Sequence, residues 1–187
     1  LPGFTTRGIR QVKMFISDAH PRMQAALRKE WVRSSWQRCK VHFMRNILAR
    51  VPNRDKARVA ERLKQIWLQP DKRSAEELAS LLIEEYESRY PEAMCCLEEG
   101  LEDSLQLYFF PEIDKRRISS TNGLERTNRE IRRRSRVVGV FPSAESYLRL
   151  VTSYLIEYSE DWANEYAYIK ADKLGQLIES EQTQAAN

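Results

Sequence analysis

No apolar run in this 187-residue chain approaches the roughly 18 residues of a bilayer span, so a membrane-spanning helix is not expected. No charged, apolar, small-residue signal opens the chain, and it begins at Leu1 rather than Met, as an excerpt of a longer protein would. Cysteine is scarce. Cys39, Cys95 and Cys96 form an odd set, and the adjacent Cys95 and Cys96 are poor partners for each other. A secreted disulfide framework is therefore excluded, and a reducing, cytosolic setting is expected. Histidine is scarcer still, with only His20 and His42. Cys39-Lys40-Val41-His42 offers one CxxH pair and nothing to complete it, so no structural zinc is expected. Internal repeats and low-complexity tracts are missing too.

Charge is abundant and segregated. The net charge is only +4, yet residues 1–73 hold 18 basic and 5 acidic side chains, whereas residues 74–104 hold 1 basic and 10 acidic. Such asymmetry separates a surface facing a polyanion from one that is solvated or self-masking. From Asp114 to Arg136, nine Lys/Arg stand against three Asp/Glu. The arginines point to a phosphate backbone as partner, and an acid held among them keeps its charge and is able to hold a divalent metal.

Val12-Lys13-Met14-Phe15-Ile16 reads as a strand, with Asp18 just past its end. His20-Pro21 opens a helix whose apolar positions Met23, Ala26, Leu27 and Trp31 recur at three- and four-residue steps. Ser35–Cys39 reads as a second strand, and Val41–Leu48 as a helix ending near Pro52. This opening predicts part of an α/β core. Three helical patterns follow, near 55–69, 74–89 and 92–109, forming an all-helical insertion. An arginine-rich helix comes next and is broken by Gly139-Val140-Phe141-Pro142. A last helix from about Ala144 aligns Tyr147, Leu150, Val151, Tyr154, Leu155, Tyr158 and Trp162 as a core-packing stripe. The predicted organisation is 1–53 core, 54–112 insertion, 113–172 core and 173–187 polar tail, helix-rich overall.

Each candidate site residue has a structural reading beside the functional one. Asp18 lies where ligand crevices form in open α/β sheets, and also where turn formers and N-caps lie. Asn122-Gly123-Leu124-Glu125 reads as a capping box, in which Glu125 reaches back to the Asn122 amide. Cys39 and His42 suit a buried helix start. Leu124 and Ile131 are expected to face the core, leaving Glu125, Asn128 and Arg132 on a neighbouring face. Arg126, Arg129, Arg133, Arg134 and Arg136 surround them.

Three segments together resemble one family. They are Ile16-Ser17-Asp18-Ala19-His20, then Trp36-Gln37-Arg38-Cys39-Lys40-Val41-His42-Phe43-Met44-Arg45-Asn46, then Ser120-Thr121-Asn122-Gly123-Leu124-Glu125-Arg126-Thr127-Asn128 with Arg132-Arg133 and Gly139-Val140-Phe141-Pro142. In this order they resemble the C-terminal half of a bacterial Mutator-type insertion-sequence transposase. The resemblance implies an RNase H-like fold with a DDE triad of acids, interrupted by the all-α insertion. It makes Asp18 the second acid and Glu125 the third, both catalytic metal ligands. Cys39, His42, Asn122 and Asn128 fall near the active site, and Arg126, Arg129, Arg132, Arg133, Arg134 and Arg136 on DNA. The implied cofactor is a divalent metal, Mg2+ or Mn2+. The implied partner is double-stranded DNA (element ends and target), handled by a homo-oligomer of the full-length protein in the bacterial cytoplasm at the nucleoid. Leu1–Ser17 contains no Asp or Glu, so the first acid of the triad is absent and the chain is expected to be a fragment, inactive alone. The alternative is a non-catalytic DNA-binding or assembly module, such as a truncated transposase that inhibits the intact one.

Overall fold

The computed structural model describes residues 6–9, 11–164, 169 and 175. Contacts divide the chain into two compact units: Leu1–Pro111 with Ile118–Ser120, and Glu112–Arg117 with Thr121–Asn187. Among the described residues, no helix is long and apolar enough to cross a membrane.

The first unit opens as the sequence suggests. Strand β1 (Met14–Ser17), helix α1 (Pro21–Glu30) and strand β2 (Ser35–Arg38) form a β-α-β crossover. The two strands pair in parallel, with Met14 opposite Ser35 and Ser17 opposite Arg38. His20 occupies the α1 N-cap and Pro21 the first turn, where a missing N–H costs no hydrogen bond. Helix α2 (Lys40–Leu48) follows β2 directly. Helix α3 (Asn53–Lys64) runs into a 3-10 turn (Gln65–Leu68), then come α4 (Lys72–Tyr86) and α5 (Pro91–Ser104), with a second 3-10 turn (Gln106–Phe109). Asp71 caps α4 by accepting from the Ser74 N–H at 2.8 Å. The architecture is thus helix-rich with a small two-stranded parallel sheet.

The core of this unit is continuous from the sheet into the helices. Phe43 and Ile47 from α2, Leu63 and Ile66, Leu82 from α4, and Met94 and Leu97 from α5 are all fully buried. A glycine permits the closest approach: a Cβ on Gly100 would run into the Arg38 guanidinium and sit 2.6 Å from Phe43 Cε2. Arg38 lies over the Phe43 ring, 4.2 Å from its centroid.

The polar fastening is Gln37, fully buried in β2. Its amide donates to the Ser104 carbonyl at 2.7 Å and the Arg38 carbonyl at 2.8 Å, and its oxygen accepts from the Leu107 N–H at 2.7 Å. Trp67 Nε1 also donates to the Ser104 carbonyl, at 3.3 Å. The last carbonyls of a helix have no partner within it, and here a strand side chain supplies one for α5.

The second unit contains α7 (Asn122–Val138) and α8 (Ala144–Asn164), preceded by the short α6 (Lys115–Ile118), whose last residue belongs to the first unit. Gly139 ends α7 with a φ of +76°, a left-handed conformation that favours glycine. Ser143 starts α8, its hydroxyl accepting from the Ser146 N–H at 3.2 Å.

Two packing expectations are corrected here. Leu124 is 63% exposed, and α7 has no buried residue at all. Its contact with α8 is built on Arg134, which stacks on Tyr154 at 4.4 Å and pairs with Glu157 at 3.5 Å. A guanidinium and a ring replace the aliphatic seam that the spacing of Leu124 and Ile131 suggests. The α8 stripe is likewise only partly core: Tyr154 is buried, Leu150, Val151 and Tyr158 are half-buried, and Tyr147 and Leu155 are exposed. The side chain of Trp162 and the tail beyond 175 lie outside the described residues.

Replacing Gln37 with Leu leaves the buried Leu107 N–H without an acceptor, a loss of about 2–3 kcal/mol. Denaturant unfolding should show this as a lower midpoint with an unchanged m-value. A midpoint within error of the unmodified protein would contradict the role given to Gln37.

Candidate active-site and nucleic-acid-binding residues

At the C-terminal end of the parallel strands, Asp18 follows β1. Its side chain is exposed and enters no hydrogen bond or ion pair among the described residues. The Ser17 hydroxyl accepts from Trp36 Nε1 at 2.9 Å and donates to the Asp18 carbonyl at 2.9 Å, which fixes the chain where the strand ends. The Cys39 N–H donates to the Ser17 carbonyl at 2.7 Å, continuing the ladder one residue beyond β2. Asp18 and the start of α2 therefore occupy the same end of the sheet, the end where open α/β sheets place ligands.

Cys39 is fully buried at the N-cap of α2, and His42 is half-buried on the first turn. Between them, Lys40 is half-buried, and its N–H donates to the Ser119 carbonyl at 2.9 Å. Burial holds its ammonium below the usual lysine range, with Cys39 acting in the opposite direction.

In the second unit, Thr121 is the N-cap of α7, so the cap falls one residue before the position that the capping box assigns. The Thr121 side chain makes no cap bond to the backbone, and its hydroxyl instead donates to the Glu125 carboxylate at 3.2 Å. Glu125 is half-buried in the first turn, where the positive end of the helix favours an anion. Asn122 and Asn128 are exposed.

The arginines divide into two groups. Glu130 takes Arg133 through two bonds, of 2.6 and 2.9 Å, and Arg134 at 3.1 Å. Those guanidinium groups hold the Glu130 carboxyl down at about 2. Arg126, Arg129, Arg132 and Arg136 are exposed and have no ion pair among the described residues. Glu125, Arg129, Arg132 and Arg136 stand at i, i+4, i+7 and i+11, in one row along the helix. That row sets a carboxylate at the head of unmatched cations, an arrangement suited to a polyanion. Among the described residues, no group of three or more His, Cys, Asp and Glu is placed to hold a metal ion.

Sequence reasoning passed over Glu130 and Lys40. The spacing of Glu130 to Arg133 and Arg134, three and four residues, was the available signal for the first. For the second it was a lysine three and seven residues before the apolar Phe43 and Ile47.

The family model described as "Transposase, Mutator family" matches residues 1–165. The chain belongs to the Mutator family of transposases. Among its relatives, the transposase for insertion sequence element IS256 in transposon Tn4001 of Staphylococcus aureus is 36% identical over 170 residues, covering 89% of this chain and 43% of the relative. The transposase for insertion sequence element ISRM5 of Rhizobium meliloti is 35% identical over 168 residues, covering 90% and 42%. The transposase for insertion sequence element IS1081 of Mycobacterium tuberculosis is 33% identical over 168 residues, covering 90% and 40%. The chain thus spans less than half the length of these relatives.

The Glu130 cluster has a pH signature. Its folded-state pKa is depressed, so the stabilisation is complete above the ordinary value of 4.5 and is lost as pH falls through about 2. The thermal midpoint, followed by circular dichroism, should fall more steeply between pH 4.5 and 2 in the unmodified chain than in Glu130→Gln. Parallel curves would contradict the pairing.

Proposed function

We propose that this chain supplies part of the catalytic domain of a DDE-type DNA transposase with an RNase H-like core. The reaction would be cleavage of DNA at the element ends and transfer of the freed strand to target DNA. The observation that carries this reading is Glu125 at the head of a row of exposed, unpaired arginines on α7, in a chain of the Mutator family.

Asp18 and Glu125 are the proposed carboxylate ligands of divalent cations. Their donor chemistry fits such ions. Magnesium takes one or two carboxylates and completes its shell with phosphate oxygens and water. The Asp18 carboxylate is exposed and uncommitted among the described residues, and that of Glu125 accepts from a hydroxyl. When bound, the metal ions would lower the pKa of the attacking water or 3′-hydroxyl and stabilise the leaving oxygen. Leu1–Ser17 does not supply the first acid of a DDE set.

Arg126, Arg129, Arg132 and Arg136 would bind successive phosphates and hold the backbone in register. They bind through charge and paired N–H donors, without reading sequence. Arg133 and Arg134, already engaged by Glu130, would keep α7 in place behind them. Cys39 and His42 would shape the end of the sheet beside Asp18. In the intact transposase the DNA would be the element ends and the target, handled by a homo-oligomer.

Glu125→Gln, introduced into a full-length transposase that contains this chain, should reduce magnesium-dependent DNA cleavage at least about 100-fold. Binding to the same DNA should be equal or tighter, since the change removes the one acid from the arginine row. Undiminished cleavage would overturn the assignment of Glu125. Cleavage and binding lost together, with folding intact, would overturn the division of roles along α7.

A further inference from the structure

The passage from α1 into β2 interleaves bases with indoles: Arg28-Lys29-Glu30-Trp31-Val32-Arg33-Ser34-Ser35-Trp36. In the structure it borders a cleft of about 270 Å3, lined by Trp31 and Trp36 together with Gln24, Leu27, Arg28 and Val32. Both indoles are held in place by the fold. Trp31 is the C-cap of α1, where its N–H donates to the Leu27 carbonyl at 2.8 Å, and its ring meets Phe15 edge-on at 5.6 Å. Trp36 lies opposite Phe15 in the sheet, and its Nε1 donates to the Ser17 hydroxyl at 2.9 Å. Each indole is half-buried, and Trp36 meets no other aromatic ring among the described residues.

Cations accompany the indoles. Arg28 lines the cleft, and Lys29 and Arg33 flank Trp31 in the chain. All three are exposed and form no ion pair among the described residues. Asp103 is close enough to feel the Arg28 charge, yet makes no salt bridge with it. The cleft is slightly smaller than the roughly 300–1,000 Å3 that takes drug-sized ligands, so it suits a single planar ring. An apolar side chain of a protein partner would use the indoles and leave three cations idle. A free phosphate would use the cations and leave the indoles idle. A nucleotide uses both, its base against an indole face and its phosphate on a guanidinium. A base inside a duplex is stacked between its neighbours and closed to such a cleft, so the base must be unpaired.

We propose that the cleft between α1 and β2 takes one unpaired base of single-stranded DNA, stacked on Trp31 and Trp36, with Arg28, Lys29 and Arg33 on the adjoining phosphates. The inference rests on the transposase reading above and deepens it. It gives the strand-bearing unit a single-strand site of its own, separate in chemistry from the arginine row of α7, where charge acts without aromatic rings. Gln24 supplies an amide for the polar edge of the base. Trp36 is hydrogen-bonded to Ser17, the residue before Asp18, so the strand would be anchored on the element that ends in a proposed metal ligand. Trp31, Trp36 and Arg28 are positioning residues, since they would hold the strand and exchange no proton or bond with it.

The test separates bases from charge. The probes are a short duplex with a single-stranded thymidine overhang and the same duplex with an abasic overhang, which carry equal numbers of phosphates. The unmodified chain should bind the thymidine overhang at least about fivefold more tightly, the lower end of the value of one stacked base. In Trp31→Ala that preference should vanish while affinity for the abasic probe is retained. Val32→Glu changes a residue that is 82% exposed, so folding is not at issue, and the carboxylate it brings to the cleft should abolish the preference too. Arg28→Gln should keep the preference and make the slope of log K against log salt shallower by about 0.7 on both probes, the value of one single-strand phosphate contact. Equal affinity of the unmodified chain for the two probes, or a preference that survives Val32→Glu, would overturn the proposal while leaving the arginine row standing. Failure to bind either probe would overturn the transposase reading as well.

Discussion

One buried amide joins the two parts of the first unit. Gln37 sits in a strand too short to hold a sheet together by itself, and its three hydrogen bonds reach the end of α5 and the turn after it. A pair of four-residue strands is marginal alone in water and needs a packed face to persist. That face comes from helices up to 70 residues away in sequence, and Gln37 sets the register between them and β2. Phe43, Arg38 and Gly100 then close around the same point, so the strand end bearing Asp18 and Cys39 inherits its rigidity from the helical block.

The arginine helix is stabilised by other means. It buries no side chain fully, and a helix this basic gains little from its own neighbours, since like charges three and four residues apart repel. Glu130 neutralises the part that faces α8, and Tyr154 covers the Arg134 guanidinium. The opposite side receives no such compensation. Three unmatched cations in one row, with Arg126 beside its head, create a local potential that an anionic backbone would relieve, and the same potential favours ionised Glu125 among them. The roles proposed for Glu125 and for the unpaired arginines thus rest on one charge distribution.

Local signals revealed most of the elements. His20-Pro21 marked the start of α1, Gly139 the end of α7, and the apolar spacing the helices from α2 to α5. The errors share a cause. Apolar spacing at Leu124 and along the α8 stripe predicts burial, but a seam can also be made from Arg134, Tyr154 and Glu157, whose joint role depends on a contact between elements. Gln37 was undetectable for the same reason, its partners being 67 and 70 residues away. At the candidate site, Asp18 and Glu125 are each ambiguous as caps or ligands on local grounds, and their proposed roles come only from the resemblance of three separated segments. The division of the arginines into engaged and unengaged sets needed coordinates, although the Glu130 spacing hinted at it.

The most direct measurement is the salt dependence of duplex binding by the chain in which Arg126, Arg129, Arg132 and Arg136 are all replaced by Gln, compared with the unmodified chain and with Arg134→Gln. Four lost phosphate contacts should make the slope of log K against log salt shallower by about 3.6, at about 0.9 per contact, while Arg134→Gln should chiefly lower the melting temperature. A quadruple variant that keeps the original slope would contradict the account.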